Sequence, residues 1–188
     1  MAAGQVNNPN EWRRHDALRK AGVAAQRGSL LDPAFVGTIT RSCAAVIHLA
    51  AAQHEMNVPD EHFRSVNVKG TRALLDAAVA NGVRRFAYGS TIGVYGFWSE
   101  GPLDEGSPLR PQNIYGRTKL EAEQLVRTDA GRIEPVVLRI SETYGPGDVR
   151  LLKRFRAIID RLINNAIMIG LRLWGPSHGT TQGICASD

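Results

Sequence analysis

Three residues set the chemistry this chain is equipped for: Thr91, Tyr115 and Lys119. Thr91 closes the stretch Arg85-Phe-Ala-Tyr-Gly-Ser-Thr91, while Tyr115 and Lys119 stand at the start of a segment with helical periodicity. Residues four apart share one helix face, so the Lys119 ammonium is expected near the Tyr115 phenol. A free phenol titrates near pH ~10, too high for a base at neutral pH. A cation within about 4–6 Å favours the phenolate and lowers that value by roughly one unit or more. The Thr91 hydroxyl then holds a substrate alcohol or carbonyl in line with the phenol. A tyrosine and a lysine at this spacing occur by chance in many helices. The weight of the pattern comes from its place directly after a predicted strand ending in Gly-Ser-Thr.

The elements that must position these residues alternate along the chain. Asn8-Pro9 opens a polar helix to about Lys20, and Val23 to Arg27 is a short strand. Asp32-Pro33 starts a second helix, to about Ser42. Ala44 to Leu49 is a near-continuous apolar run, the pattern of a strand buried on both faces. Pro59 opens a long helix to about Ala80, where Asn81-Gly82 supplies the C-cap. Arg85 to Tyr88 reads as a strand, Gly89 to Pro111 as a loop, and Asn113 to about Thr128 as the helix of Tyr115 and Lys119. Pro135 to Arg139 is a further strand and Asp148 to about Leu162 a further helix. Strands alternating with such helices predict βαβ units and an α/β fold with a doubly wound parallel sheet. Residues 164–188 show little periodicity.

Composition narrows the class. At 188 residues, 43% apolar and 22% charged, the chain is long enough for one domain with a proper core. No apolar stretch approaches the roughly 20 residues of a membrane span, and no secretory signal is visible, so a cytoplasmic protein is expected. Cys43 and Cys185 are far apart, which excludes a disulfide framework and a cysteine-based metal site. The net charge of +5 gathers in two helical stretches, around Arg13 to Lys20 and Arg150 to Arg161, without interleaved aromatics. They read as solvated faces, and nucleic acid is not an expected partner. The cluster Gly89, Gly93, Gly96 has the wrong spacing for a phosphate loop, and no strand, glycine-rich turn and helix open the first 40 residues.

Five ordered segments resemble the extended short-chain dehydrogenase/reductases, the NAD-dependent epimerase/dehydratase family. They are Val46 to Ala51, Asn67 to Thr71, Gly89 to Gly96, Tyr115 to Lys119, and Leu138-Arg139 through Tyr144-Gly-Pro146. The resemblance spans about Leu18 to Leu162 and implies a Rossmann-like domain binding NAD or NADP. It makes Tyr115 the catalytic acid or base, Lys119 its electrostatic partner and a ribose ligand, and Thr91 the third member. Ala50 and Ala51 fall where a strand ends against the cofactor, and Asn67 where a helix holds backbone beside the nicotinamide half. Ser29 and Leu30 fall against the adenine, with Ser29 in place of the family's Asp. His48 lies inside a strand and reads as a satisfied core histidine.

Departures from the family narrow the expected reaction. Dehydratases carry Asp-Glu after the catalytic Thr, where this chain has Ile92 and Gly93, and neither cysteine lies near the triad as in GDP-sugar epimerase/reductases. Reversible oxidation of a secondary alcohol remains, by a 4-epimerase or a dehydrogenase/reductase. A nucleotide sugar is the candidate small-molecule substrate, although Glu142 stands where many such enzymes carry Asn. By the resemblance, residues 1–163 are a partial dinucleotide-binding domain lacking the first βα unit. Residues 164–188 are then the start of a substrate-binding region or a divergent tail. The alternative is a truncated or degenerate non-catalytic binding or scaffold module of the same fold. A homodimer is expected through the two long helices, whose outer faces offer Ala73, Ala77, Ala80 and Leu125.

Overall fold

Capping residues decide where the helices begin. Asp32 accepts a hydrogen bond from the Ala34 amide at 2.9 Å and sets Pro33 first in α1 (Pro33–Thr40). Asn113 does the same for α4 (Ile114–Thr128), accepting from the Gly116 amide at 2.7 Å. Between them, α2 (Asp60–Phe63) runs through a π-helical turn, Arg64–Lys69, into α3 (Gly70–Ala80). The predicted helix from Pro59 to Ala80 is thus continuous but widened in its middle, at Asn67.

The computed structural model describes residues 2–4, 18–53, 57–97 and 101–143, with positions 156 and 159. The chain divides into two units, Met1–Ser141 and Glu142–Asp188. In the first unit, β3 (Ala45–His48), β4 (Arg85–Thr91) and β5 (Glu134–Ile140) form a parallel sheet in that order. Residues Arg85 to Thr91 pair in register with Glu134 to Ile140. A second, two-stranded parallel sheet joins β1 (Ala2–Gly4) to β2 (Ala25–Arg27). The parallel strands with intervening helices make the predicted Rossmann-like α/β architecture. Residues 18–20 are helical, as are positions 156 and 159. The rest of the helices predicted over 8–20 and 148–162, and the domain boundary at residue 163, lie outside the described residues.

The core gathers on one face of the three-stranded sheet. Val36 of α1, Leu74, Leu75 and Ala78 of α3, Phe86 and Tyr88 of β4, and Ala122 and Val126 of α4 are all buried there. Burial of the valine, leucine and phenylalanine side chains among them stabilises by about 1.5–3 kcal/mol each. Ala73 and Ala77, expected on an outer face, also pack against this core.

Three strands differ from what their sequence predicts. The apolar run at β3 was expected to be buried on both faces, yet Ile47 is 72% and Leu49 62% exposed. Among the described strands β3 is paired to β4 alone, so its outward side chains have no layer against them. Strand β4 continues through Gly89, Ser90 and Thr91, which had been assigned to a loop, because β5 is long enough to pair with all three. The strand Ala2–Gly4 was not foreseen: three small residues carry no strand signal of their own.

Candidate active site

The C-terminal ends of the strands carry the candidate residues. Thr91 ends β4, and its Oγ1 accepts from the Gly93 amide at 3.1 Å, capping the single 3-10 turn Ile92–Val94. The same hydroxyl faces the phenol of Tyr115, in the first turn of α4, closely enough to lower its pKa. Gly116 makes this approach possible: a Cβ there would lie 2.8 Å from the Gly93 carbonyl oxygen. Half-buried Tyr115 has its pKa raised by loss of water, which outweighs the lowering by Thr91. Tyr115 is therefore a protonated phenol at neutral pH.

Lys119 lies one turn along α4 from Tyr115. It is 2% exposed, and its Nζ lies 4.2 Å from the centroid of the Tyr88 ring. Burial lowers its pKa to about 8. Burial and the Thr91 hydroxyl shift Tyr115, while the Lys119 cation rests on the neighbouring tyrosine ring. Burial and the facing Tyr115 and Glu123 push Tyr88 above the range of an ordinary phenol.

Asn67, in the π-helical turn and 1% exposed, clamps backbone beside the site. Its Oδ1 accepts from the Ala52 amide at 2.7 Å, and its Nδ2 donates to the Ala52 carbonyl at 3.2 Å and to Thr118 Oγ1 at 3.0 Å. The segment Ala50-Ala51-Ala52 is therefore fixed to the helix that faces α4. His48 is buried, with Nε2 2.9 Å from Thr71 Oγ1. Because the Thr71 proton goes to the Asn67 carbonyl at 2.6 Å, the Nε2 of His48 carries the hydrogen and donates. Burial first, then the charge of Lys119, lower its pKa to about 3, so His48 is a neutral core residue as expected.

Leu30 and Ala50 line one groove of about 340 Å³ along the open edge of β3, with Ile39, Cys43 and Leu49. Ser29 spends its hydroxyl locally, accepting from the Leu31 amide at 3.2 Å. The structure thus makes two groups of the named residues: Thr91, Tyr115 and Lys119 around β4 and α4, and Leu30 and Ala50 along the groove, with Ala51 and Asn67 between. Among the described residues no cluster of three or more His, Cys, Asp or Glu could hold a metal ion, and no helix is long and apolar enough to cross a membrane.

Sequence reasoning missed the polar groups behind the site. Glu123 is 1% exposed and accepts from Ser90 Oγ at 2.8 Å and from Arg139 Nη2 at 2.7 Å. Arg139 also donates to the Tyr95 hydroxyl at 2.7 Å. The one signal available was that Tyr115, Lys119 and Glu123 follow at four-residue steps on one helix face.

The chain matches the family model described as "NAD dependent epimerase/dehydratase family" over residues 3–182. It is 36% identical over 115 residues to a UDP-glucose 4-epimerase of Streptomyces lividans, covering 58% of this chain and 35% of that protein. It is also 36% identical over 163 residues to a dTDP-glucose 4,6-dehydratase of Streptomyces griseus, covering 84% and 48%. Among solved structures, a short-chain dehydrogenase/reductase superfamily protein from Agrobacterium tumefaciens with bound NAD superposes with a TM-score of 0.66 and 31% identity, over 90% of this chain and 60% of that one. The chain spans half or less of the length of these two curated relatives.

Proposed function

The chain belongs to the NAD dependent epimerase/dehydratase family, and on that footing we propose that it carries the proton-transfer site of an enzyme that oxidises and reduces a secondary alcohol on a nucleotide sugar. The approach of the Tyr115 phenol to the Thr91 hydroxyl at the end of β4, which Gly116 permits, carries this reading. The residues fit the nicotinamide half of the cofactor: Ala50 and Ala51 leave backbone approachable, Asn67 holds the Ala52 backbone that follows them, and Lys119 is the cation to meet ribose hydroxyls. NAD or NADP, when bound, supplies the hydride acceptor and donor.

Tyr115, protonated at neutral pH, gives its proton to a carbonyl oxygen that the Thr91 hydroxyl orients. In the oxidative direction the phenolate must take a proton from the alcohol. That requires the Lys119 ammonium to turn from the Tyr88 ring toward Tyr115, one helical turn away on the same face. Ile92 and Gly93 follow Thr91, and neither side chain can serve as the acid or base that water elimination needs. The reading is therefore a 4-epimerase or a dehydrogenase/reductase, even beside dehydratase relatives. It goes with a cytoplasmic enzyme that associates weakly as a homodimer through α3 and α4, where Ala80 is exposed and Leu125 half-buried.

A second reading, a non-catalytic module of the same fold, is favoured by one observation. The described residues contain no glycine-rich strand-to-helix turn to receive a diphosphate. Calorimetric titration with NAD and NADP separates the two. Micromolar binding, with Tyr115→Phe keeping that affinity while losing alcohol oxidation, supports the enzyme; millimolar or no binding supports the module.

A further inference from the structure

We propose that Glu123 is a positioning residue that sets the distance between Thr91 and Tyr115 by bolting α4 to the ends of β4 and β5. This rests on the reading of Thr91 and Tyr115 as the reacting pair, and it extends that reading to residues without contact with substrate or cofactor. Ser90 and Arg139 are register partners on adjacent strands, one rung before the pair Thr91 and Ile140. Both donate to the one carboxylate of Glu123, Ser90 to Oε2 at 2.8 Å and Arg139 to Oε1 at 2.7 Å and to Oε2 at 3.3 Å. Arg127, one turn further along α4, donates to Oε1 at 3.1 Å. A single buried carboxylate thereby joins two strands to a helix.

The geometry of α4 makes that joint consequential. Tyr115, Lys119 and Glu123 lie at four-residue steps on the helix face turned to β4. At about 1.5 Å per residue, Glu123 is roughly 12 Å along the axis from Tyr115. Ser90 is the immediate neighbour of Thr91. Any slide or roll of α4 that lengthens the Glu123–Ser90 bond displaces Tyr115 from Thr91 along the same rigid helix. A misplacement of about 1 Å in a reacting pair costs on the order of a hundredfold in rate. The same Arg139 donates to the Tyr95 hydroxyl at 2.7 Å and to the Glu105 carbonyl at 3.3 Å, while Tyr95 donates to the Asp104 carbonyl at 2.8 Å. The network therefore also ties down the loop that follows the 3-10 turn.

The test reads the Thr91–Tyr115 contact directly, in the 188-residue chain without cofactor or substrate. The chain has four tyrosines, so [13Cζ]tyrosine labelling gives a resolvable set, with Tyr115 assigned from Tyr115→Phe. The groups facing Tyr115 are Thr91 and Tyr88 of β4 and Lys119 of α4, none of them altered by the substitutions. Ser90→Ala and Glu123→Gln are each expected to shift the Tyr115 titration by at least half a unit, Ser90→Ala to higher pH, because the Thr91 hydroxyl that favours the phenolate is drawn away. Glu61→Gln, which breaks an exposed ion pair with Lys69, serves as the control and is expected to leave it unchanged. Ser90→Ala removes one hydroxyl and decides the matter where Glu123→Gln fails to fold. A folded variant of either kind with an unmoved Tyr115 titration overturns the proposal. Should the chain bind no NAD(P) while Tyr115 still moves with Glu123, the functional reading fails and the positioning role stands.

Discussion

At the scale of single residues, the site is assembled at a cost in stability. Lys119 is an ammonium buried among apolar groups, with its pKa lowered from 10.5 to about 8. At about 1.4 kcal/mol per unit, holding that charge inside at pH 7 costs roughly 3 kcal/mol, offset in part by the Tyr88 ring. Lys119→Met is therefore expected to raise the melting temperature at pH 7 while weakening NAD(P) binding. Above pH 8 the unfolded chain still binds the proton that the folded chain has released, so the parent gains stability with pH up to about 10.5 and the advantage of Met shrinks over that window. Thermal melts of both proteins from pH 7 to 10.5 check this; a lower melting temperature for Lys119→Met throughout refutes it. His48 acts at the acid end. Its folded pKa of about 3 against an ordinary 6.5 means that the unfolded chain alone takes up a proton as pH falls through 6.5. Stability is expected to drop by up to about 1.4 kcal/mol per pH unit below 6.5, and His48→Gln to remove that slope in urea unfolding curves.

Among the elements, what the sequence made legible follows from how local each signal is. The helices at Pro33, Asp60 and Asn113 announced themselves through proline, caps and four-residue apolar steps, which act within one or two turns. The tyrosine and lysine of α4 were legible for the same reason. The direction of Lys119 was not, because it depends on the Tyr88 ring, 31 positions earlier in the chain. Glu123 was invisible on similar grounds: its partners Ser90 and Arg139 are 33 and 16 residues away, and an isolated glutamate on a helix reads as surface. The π-helical turn at Arg64–Lys69 left no mark either, since the clamp of Asn67 on Ala52 that accompanies it spans a loop. One consequence is testable at this scale. Gly116 lets the start of α4 sit against the 3-10 turn, and a Cβ there would meet the Gly93 carbonyl at 2.8 Å and Pro111 Cβ at 3.1 Å. Two backbone segments cannot yield cheaply, so Gly116→Ala should destabilise by about 1–3 kcal/mol despite the better helix propensity of alanine. It should also part Tyr115 from Thr91. Equilibrium denaturation reads the first effect, and an unchanged or increased stability contradicts the close approach.

Over the molecule as a whole, the covered and uncovered faces of the sheet are unlike. Phe86, Tyr88 and their helical partners are sealed, whereas Ile47 of β3, Leu49 just beyond it, and Leu138 and Ile140 of β5 lie 36–72% exposed. Leu49 and Ile140 crowd together over Gly89, where a Cβ would stand 2.7 Å from Leu49 Cδ2, so the exposed side chains form a continuous apolar band across the sheet. The outer edge of β3 adds a row of backbone groups with no strand partner among the described residues. An apolar band beside an open strand edge is a template for association with other chains. The 188-residue chain is therefore expected to self-associate on concentration, by way of β3. Ile47, 72% exposed, is the place to act, because a lysine there keeps the strand while putting a solvated charge on the band. Ile47→Lys should suppress species larger than the dimer formed through α3 and α4 in light scattering, with the melting temperature changed by no more than a few degrees. The same charge on Arg85, at the far end of β4 where it already pairs with Glu134 at 2.8 Å, has no such effect, so Arg85→Gln is expected to leave association as it was. A parent chain that forms nothing larger than that dimer at high concentration, or an Ile47→Lys variant that associates equally, rules out β3 as the adhesive edge.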